Sequence, residues 1–200
     1  MTVRPHAARL PAARRRQQLL DVALQVFGDQ GFHPASMNDV AEAAGVTKPV
    51  LYQHFRSKRD LYREVLTNVG AQLLDEITKA TTAATGPREQ VELGFIAYFR
   101  FVASNEAAFR VLFGGGTRRD EEFAAQVATV EGAIAEAIAT LIHVEGLTAD
   151  QRRHLAHGLV GLAEATSRVW RAEGADQPPE ELARLVADLA WRGLRGVRGA

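Results

Sequence analysis

The stretch VTKPVLYQHFRSKRDLY, residues 46–62, concentrates side chains that donate hydrogen bonds. Four of its residues are lysine or arginine, and hydroxyl groups and an imidazole lie among them. Such donors bind phosphate oxygens and base edges, and apolar groups beside them can touch thymine methyls. The stretch therefore predicts a surface that binds a polyanion, and the alternative is a charged helix that is only solvated.

Each residue type here suits a particular contact with a DNA duplex. Lys48 can donate to guanine O6 and N7 or to a phosphate, while Pro49 and Val50 can touch thymine methyls. The arginines at 14–16 form a basic entry that could follow the backbone or reach a minor groove, unless they are merely solvated. The candidates for phosphate contacts, by side chain or main-chain amide, are Ser36, Met37, Thr47, Tyr52, His54 and Lys58.

Helical spacing and capping residues indicate the elements that hold these side chains. Apolar residues at three- and four-residue spacing predict a first helix over about 13–30, and Gly31 is a plausible stop. Ser36 and Asp39 then resemble a capping box at the start of a short helix over roughly 37–44.

A single glycine, Gly45, separates that helix from the next one. Thr47 can cap a second short helix, on which Leu51 and Phe55 form an inward stripe. Ser57 carries a further capping signature and starts a long helix towards about residue 80. Two short helices joined by a tight turn and packed on a longer one predict a helix-turn-helix.

The sequence SMNDVAEAAGVTKPVLYQHFRSKRDLYREVL, from Ser36 to Leu66, resembles the DNA-binding signature of the tetracycline-repressor (TetR) family. The resemblance lies in the small and aliphatic residues of the first short helix, the Ala-Gly-Val turn and the Tyr-x-His-Phe segment with Ser-Lys after it. It spans about residues 13–66. It implies an all-α protein with a three-helix helix-turn-helix head at residues 1–60 and a helical ligand-binding and dimerisation body at 61–200.

The resemblance also implies a function. Such proteins are generally homodimers that bind palindromic operators and release them when a small molecule occupies the body, so we expect a repressor of this kind. Val50 stands where many relatives carry a small or polar residue, so the family's base preference does not transfer. The alternative is a helical DNA-binding architectural or interaction protein without a small-molecule inducer. The family's motif places DNA contacts at Thr47, Lys48, Pro49, Tyr52, His54 and Lys58.

The body has no strand signals, and its turn residues divide it into further helices. They are predicted near residues 88–104, 105–113, 119–144, 149–173 and 179–195. The whole chain is therefore expected to contain about nine helices. The segment GGGTRRDEEF at 114–123 is interpreted as a flexible joint.

The last two helices carry broad apolar faces, which we expect to form the dimer interface. Gly158 and Gly161 add small positions that another helix could approach closely. Two such helices from each protomer would make an isologous four-helix bundle. The alternative is that both helices cover an intramolecular core. The candidate interface residues are Leu162, Ala165, Val169, Leu185 and Leu189.

Aromatic residues cluster between Phe95 and Phe113. Aromatics at helical spacing are more often packed core than ligand site, but a regulator of this kind needs a largely apolar cavity. The expected inducer is accordingly an unidentified, largely apolar small molecule. The candidates for the cavity wall are Phe99, Phe109, Leu112, His157 and Trp170.

The composition of the chain limits the classes of partner and the cellular locations to be expected. The net charge is zero, yet residues 1–60 hold nine Lys/Arg against five Asp/Glu while the remainder hold fifteen against nineteen. This asymmetry places the basic surface in the head. There are no cysteines, which suits a reducing cytosol, and no apolar run long enough for a signal peptide or a membrane span. We expect a cytoplasmic, nucleoid-associated protein with no membrane partner.

The sequence gives little support to an enzyme. It contains no phosphate loop and no nucleophile elbow. Asp150, His154 and His157 share a helical face, but the spacing does not match a zinc-hydrolase motif. We therefore expect no catalytic residue, no metal and no cofactor.

Overall fold

The computed structural model describes residues 11–174 and 176–198, and within these ranges the chain forms ten helices and no strand. This confirms the all-α prediction, with one short helix more than the sequence indicated. None of the described helices is long and apolar enough to cross a membrane. The helices are α1 (Ala12–Gln30), α2 (Met37–Ala43), α3 (Lys48–His54), α4 (Lys58–Thr82), α5 (Pro87–Ser104), α6 (Glu106–Phe113), α7 (Gly115–Arg119), α8 (Glu121–Ala139), α9 (Ala149–Ala172) and α10 (Pro179–Gly196).

Local hydrogen bonds fix the turn between α2 and α3. The Asp39 amide donates to Ser36 Oγ at 3.2 Å and the Ser36 amide donates to Asp39 Oδ2 at 2.8 Å, which confirms the predicted capping box. Gly45 follows α2 with a φ of +63°, a left-handed conformation that glycine adopts easily. The Val46 amide then donates back to Ala41 O at 2.9 Å, so α2 ends sharply and α3 starts at a defined angle.

The long helix α4 begins in the head and continues into the body. Ser57 caps it by accepting a hydrogen bond from the Asp60 amide at 3.1 Å, as the sequence predicted. The expected boundary between residues 60 and 61 falls in the first turn of this helix, which continues to Thr82. Only three residues separate α3 from α4, so the position of the α4 N-terminus constrains that of α3.

Residues 115–119 are helical, although the sequence suggested a flexible joint. The Thr117 side chain is buried, and its hydroxyl donates to Val111 O at 2.8 Å. A threonine that finds both burial and a carbonyl partner holds the segment in one conformation, in spite of the preceding glycines. The prediction of a joint without structure was therefore wrong for this part of 114–123.

Helix α8 is shorter than the predicted 119–144. It begins at Glu121 because the Asp120 carboxylate accepts hydrogen bonds from two first-turn amides and so caps the helix. It ends at Ala139, and Ile142 turns into a small core that α9 completes. Burial of this side chain outweighs continuation of the helix.

Head and body share one hydrophobic core. In the body, α5 packs against α4 and α10, while α8 packs against α4 and α9. The core of the head continues into α6 and α8 through residues such as Val111 and Phe123. At the α1–α6 contact a Cβ on Gly28 would lie 2.6 Å from the Ala107 Cβ, so only glycine fits there. The head therefore packs on the body where the backbone of α1 at Gly28 lies directly against α6 at Ala107.

Candidate DNA-binding surface and ligand cavity

The outward face of α3 carries most of the predicted DNA contacts. Leu51 and Phe55 are fully buried, whereas Tyr52 is 45% exposed. This division confirms the inward stripe and leaves the other side of the helix accessible. The threonine at the N-cap makes no capping hydrogen bond, so its hydroxyl is not committed to α3. Thr47, Lys48 and Pro49 are exposed, and Val50 and His54 are half-buried.

Two candidates lie at the start of α2, where Ser36 is the N-cap and Met37 is the first helical residue. Ser36 uses its hydroxyl in the capping box, and the Met37 side chain is buried in the core of the head. The side chain of Met37 therefore cannot touch a duplex, which leaves main-chain groups at the start of α2 for a phosphate. The sequence prediction concerned these amides.

Lys58 makes contacts inside the protein that sequence reasoning did not anticipate. Its Nζ donates to Phe32 O at 2.8 Å, Ala35 O at 2.9 Å and His33 O at 3.2 Å. The same atom lies 4.4 Å from the centroid of the Phe32 ring. An ammonium group has three hydrogens, and here three carbonyls accept them. We therefore correct the assignment of Lys58 from a phosphate donor to a residue that positions the loop between α1 and α2.

The basic entry at 14–16 is also partly committed to the protein. Arg16 forms an ion pair with Glu64 of α4, and its guanidinium carbon lies 4.9 Å from the centroid of the Phe55 ring. Arg15 donates to Gln18 Oε1 at 2.9 Å, and Arg14 is exposed. Arg16 thus holds α1 against α3 and α4.

Large apolar side chains are exposed on α9 and α10. Val169 is 56% exposed, Leu185 64% and Leu189 63%. Among the dimer candidates, Ala165 is also exposed and Leu162 is half-buried. An intramolecular core therefore does not account for four of the five candidates. Apolar side chains grouped in this way are typical of an interaction surface.

The body contains a cavity of about 370 Å³ between α4, α5, α6, α8, α9 and α10. This volume lies within the usual range for small-molecule sites. The polar wall residues are few, and they include Glu131, Glu164 and Arg195. The apolar wall includes Ile77, Phe95, Val130, Ile134, Ile138 and Leu159.

Four of the five residues predicted to line this cavity lie elsewhere, and only Leu112 is in its wall. Phe99 is fully buried in the adjacent core, where its ring meets the Trp170 ring edge-on at 6.1 Å between centroids. Phe109 is half-buried beside Phe113, and His157 is exposed. Aromatics in this body mostly fill the core, and aliphatic side chains provide most of the cavity surface.

Two carboxyl groups in the cavity wall share one arginine from α7. Arg118 forms an ion pair with Glu164, and its guanidinium lies 3.7 Å from Glu131 Oε1. Burial raises the pKa of the Glu131 carboxyl, and repulsion by Glu164 raises it further. Nearby, the Tyr98 and Ser167 hydroxyls are 3.0 Å apart, and burial also raises the pKa of Tyr98.

Sequence reasoning did not identify this cluster. Glu131, Glu164 and Arg118 come from three different helices, and no local spacing links them. Glu164 is the one charged residue in the segment from Leu159 to Ala165, where the other residues are small or apolar, and this was the detectable signal. Among the described residues, no group of three or more His, Cys, Asp or Glu side chains is arranged to hold a metal ion.

A helix-turn-helix head with an accessible α3, seated on an all-helical body, is the architecture of a bacterial DNA-binding transcriptional regulator. Residues 19–65 match the family model of bacterial regulatory proteins of the tetR family. Residues 87–193 match the model of the tetracyclin repressor-like C-terminal domain. The chain belongs to the TetR family of DNA-binding transcriptional regulators, which confirms the resemblance found in its sequence.

Three similar proteins cover nearly the whole chain. The transcriptional activator FasR of Mycolicibacterium smegmatis is 35% identical over 190 residues, which are 94% of this chain and 87% of that protein. A TetR-like regulator from Rhodococcus sp. RHA1 has 32% identity and a TM-score of 0.74, over 94% of this chain and 100% of that one. FadR of Bacillus subtilis, solved with stearoyl-CoA, has 17% identity and a TM-score of 0.75, over 91% and 99%. The last of these likenesses concerns the fold alone.

Proposed function

We propose that this protein binds a palindromic operator as a homodimer and leaves it when a largely apolar small molecule occupies the cavity of its body. The observation that carries the proposal is that cavity of about 370 Å³, because an architectural DNA-binding protein has no need of one. In this proposal residues 1–60 bind DNA, and residues 61–200 bind the ligand and the second protomer.

The accessible face of α3 supports the DNA-binding part of the proposal. A recognition helix contacts base edges with residues near its N-terminus, and Lys48 and Pro49 are exposed at that end of α3. Tyr52 follows one turn later with nearly half of its side chain accessible. In this proposal Lys48 contacts a base edge or a phosphate, Pro49 and Val50 contact thymine methyls, and the hydroxyls of Thr47 and Tyr52 donate to phosphates.

The exposed apolar side chains of α9 and α10 support the dimer. Val169, Leu185 and Leu189 would lose their contact with water if α9 and α10 packed against their symmetry mates. A two-fold dimer would present two copies of α3 to two half-sites about 34–36 Å apart, or a multiple of that distance.

The chemistry of the cavity indicates the class of ligand. Its wall is aliphatic over most of its extent, which suits a hydrocarbon chain, and His143 and Arg195 could contact a polar or anionic group. The fold neighbour FadR was solved with stearoyl-CoA, a molecule of this description. We propose a long-chain fatty acid or its coenzyme A thioester as the ligand class.

The direction of regulation follows from where the operator lies relative to the promoter. Binding and release by the protein are the same events in either case, whereas overlap with the polymerase site gives repression. Repression, which the sequence led us to expect, therefore stays a prediction. The relative FasR is named as a transcriptional activator. An operator on the chromosome would place the protein in the cytoplasm at the nucleoid.

Selection of bound sequences from a random duplex pool tests the DNA-binding part. We expect a palindromic consensus, bound by two protomers, whose affinity falls steeply as the salt concentration rises. A pool without enrichment would instead favour the architectural alternative.

The ligand part is tested by adding stearoyl-CoA, stearic acid or coenzyme A to the complex with the selected operator. We expect one or both acyl compounds to weaken operator binding at least tenfold, and coenzyme A alone to have no effect. Specific operator binding that none of these compounds changes would contradict the proposed ligand class.

A further inference from the structure

The short helix α7 contacts both the cavity and the head. On one side Arg118 pairs with Glu164 and approaches Glu131, and both glutamates line the cavity. On the other side the Thr117 hydroxyl is 2.6 Å from the Tyr62 hydroxyl of α4. Two adjacent residues of one helical turn therefore join the ligand site to the helix that follows α3.

Tyr62 belongs to an aromatic cluster at the junction of the head and the body. Its ring centroid is 5.0 Å from that of Phe27, 5.0 Å from that of Phe32 and 4.6 Å from that of Phe123. Both hydroxyl-bearing residues of the pair, Tyr62 and Thr117, are 3% exposed, so water does not compete for this hydrogen bond. A shift of Thr117 would therefore displace Tyr62 and change the packing of the core that supports α2 and α3.

Helix α7 has little stability of its own. It contains five residues, two of which are glycines, and an isolated helix of this length is not stable in water. A Cβ added to Gly115 or to Gly116 would meet nothing within 4 Å, so these positions are not clamped by packing. The position of α7 is therefore set by the contacts of Thr117 and Arg118.

We infer that α7 couples the cavity to the DNA-binding head, and that the pairing of Arg118 with Glu131 and Glu164 holds the protein in the conformation that binds the operator. This inference rests on the proposed function and names the element that regulates it. A ligand that fills the cavity beside the two carboxyl groups changes the charge and space around Arg118. Released from this pairing, α7 shifts, and the Thr117–Tyr62 contact passes the shift to the N-terminal half of α4.

The electrostatics of the cluster make it sensitive to an occupant. Desolvation already raises the pKa of Glu131, and an apolar ligand beside it excludes further water. Three charged neighbours face this carboxyl: Glu164 and Arg168 from α9 and Arg118 from α7. Arg118 also forms an ion pair with Glu164. Any change in the charge of Glu131 therefore alters how Arg118 is shared between the two carboxyl groups.

The experiment compares Arg118→Gln with Arg119→Gln in the full-length protein. Arg119 is exposed on the same helix, and within the described residues it forms no hydrogen bond or ion pair, so this variant controls for the loss of one charge. For each variant the operator Kd is measured with and without stearoyl-CoA, and the ratio of the two values gives the coupling. Thermal unfolding of each variant verifies that it is folded.

We expect Arg118→Gln to weaken operator binding without ligand about five- to tenfold and to bring the ratio close to one. By reciprocity, Arg118→Gln should bind stearoyl-CoA at least as tightly as the wild type does, whereas damage to the cavity would weaken that binding. Arg119→Gln should behave like the wild type in all three measurements.

Thr117→Val tests the head side of the same connection, because valine keeps the shape of threonine and removes its hydroxyl. We expect unchanged stearoyl-CoA binding and a reduced ratio. A double-mutant cycle with Tyr62→Phe should show that the two substitutions are not additive.

The outcomes separate this inference from the proposed function. If stearoyl-CoA releases the wild type and Arg118→Gln shows the wild-type ratio, the inference is overturned and the proposed function stands. If stearoyl-CoA does not release the wild type from the operator, the proposed ligand class is wrong. The operator affinities measured without ligand then test the inference on α7. Equal affinities of Arg118→Gln and Arg119→Gln would overturn the coupling by α7.

Discussion

Helices α3 and α10 both turn one side to solvent, but the two accessible sides differ in kind. The accessible side of α3 carries Lys48 and Tyr52, which combine hydrogen-bond donors with a little apolar surface. The accessible side of α10 carries Leu185 and Leu189, each more than 60% exposed. The first is suited to a polyanion and the second to another apolar surface.

This difference leads to different responses to salt. Binding through phosphate contacts releases counterions and weakens as the salt concentration rises. Association through apolar side chains depends little on ionic strength. Salt can therefore distinguish the two surfaces: if the proposed dimer and operator complex form, a rising salt concentration should dissociate the operator before the protomers.

The largest expected effect comes from charging the apolar surface of α10. Leu185→Glu combined with Leu189→Glu should give a monomer in sedimentation equilibrium, because burying two carboxylates in the interface is unfavourable. Operator affinity should fall about 100-fold or more, since a monomer loses the gain from occupying two half-sites at once. Thr129→Glu on the exposed side of α8 is the matched control and should remain dimeric. A double variant that stays dimeric would place the interface elsewhere.

Lys58→Ala should destabilise the head by about 2 kcal/mol, because three carbonyls lose a charged donor. Operator affinity should fall in parallel, while the slope of log K against log salt stays at the wild-type value. Chemical denaturation and binding isotherms at several salt concentrations measure the two quantities. A slope reduced by about 0.9 with unchanged stability would return Lys58 to the phosphate contacts.

Lys48→Ala, on the accessible side of α3, should affect operator binding and leave the free energy of unfolding unchanged. We expect no loss of stability and a loss of about 1–2 kcal/mol in operator binding. Binding to operators with single base changes shows whether the loss is specific to one position of each half-site. A uniform loss with a smaller salt slope would assign Lys48 to a phosphate.

The smallest expected effect concerns Glu131, whose carboxyl has a pKa raised by burial and by Glu164. A raised pKa favours the protonated form in the folded state, so this contribution to stability is complete below the unfolded pKa near 4.5 and is lost as the pH rises through the folded pKa. Glu131→Gln should therefore gain stability relative to the wild type between acidic and neutral pH, by less than about 1 kcal/mol. Denaturation series at several pH values would measure this difference. Glu136→Gln, exposed on the same helix, is the matched control for the loss of one carboxylate.

The sequence predicted the head better than the body, for a physical reason. Capping boxes, a glycine turn and an inward stripe are local features, so Ser36, Gly45 and Leu51 could be assigned from their neighbours alone. The cavity wall is assembled from six helices. Its prediction from aromatic content placed Phe99 and Trp170 in the wall, although both fill the core.

Contacts between distant residues explain the remaining differences. The three carbonyls that hold Lys58 lie more than twenty residues before it, and Thr117 pairs with a tyrosine 55 residues away. Such partners cannot be read from local spacing. The exposed positions of α10 were predictable because the helical period alone separates Leu185 and Leu189 from the buried side of the helix.

The contact between Gly28 and Ala107 has a consequence for building hybrid regulators. Such a hybrid would fuse the DNA-binding part of one protein to the ligand-binding part of another. In this chain, a graft that brought any side chain to position 28 would place its Cβ 2.6 Å from that of Ala107. The two parts of a hybrid would therefore have to be compatible at positions 28 and 107. A hybrid designed only for a continuous α4 would combine a head and a body that cannot pack against each other.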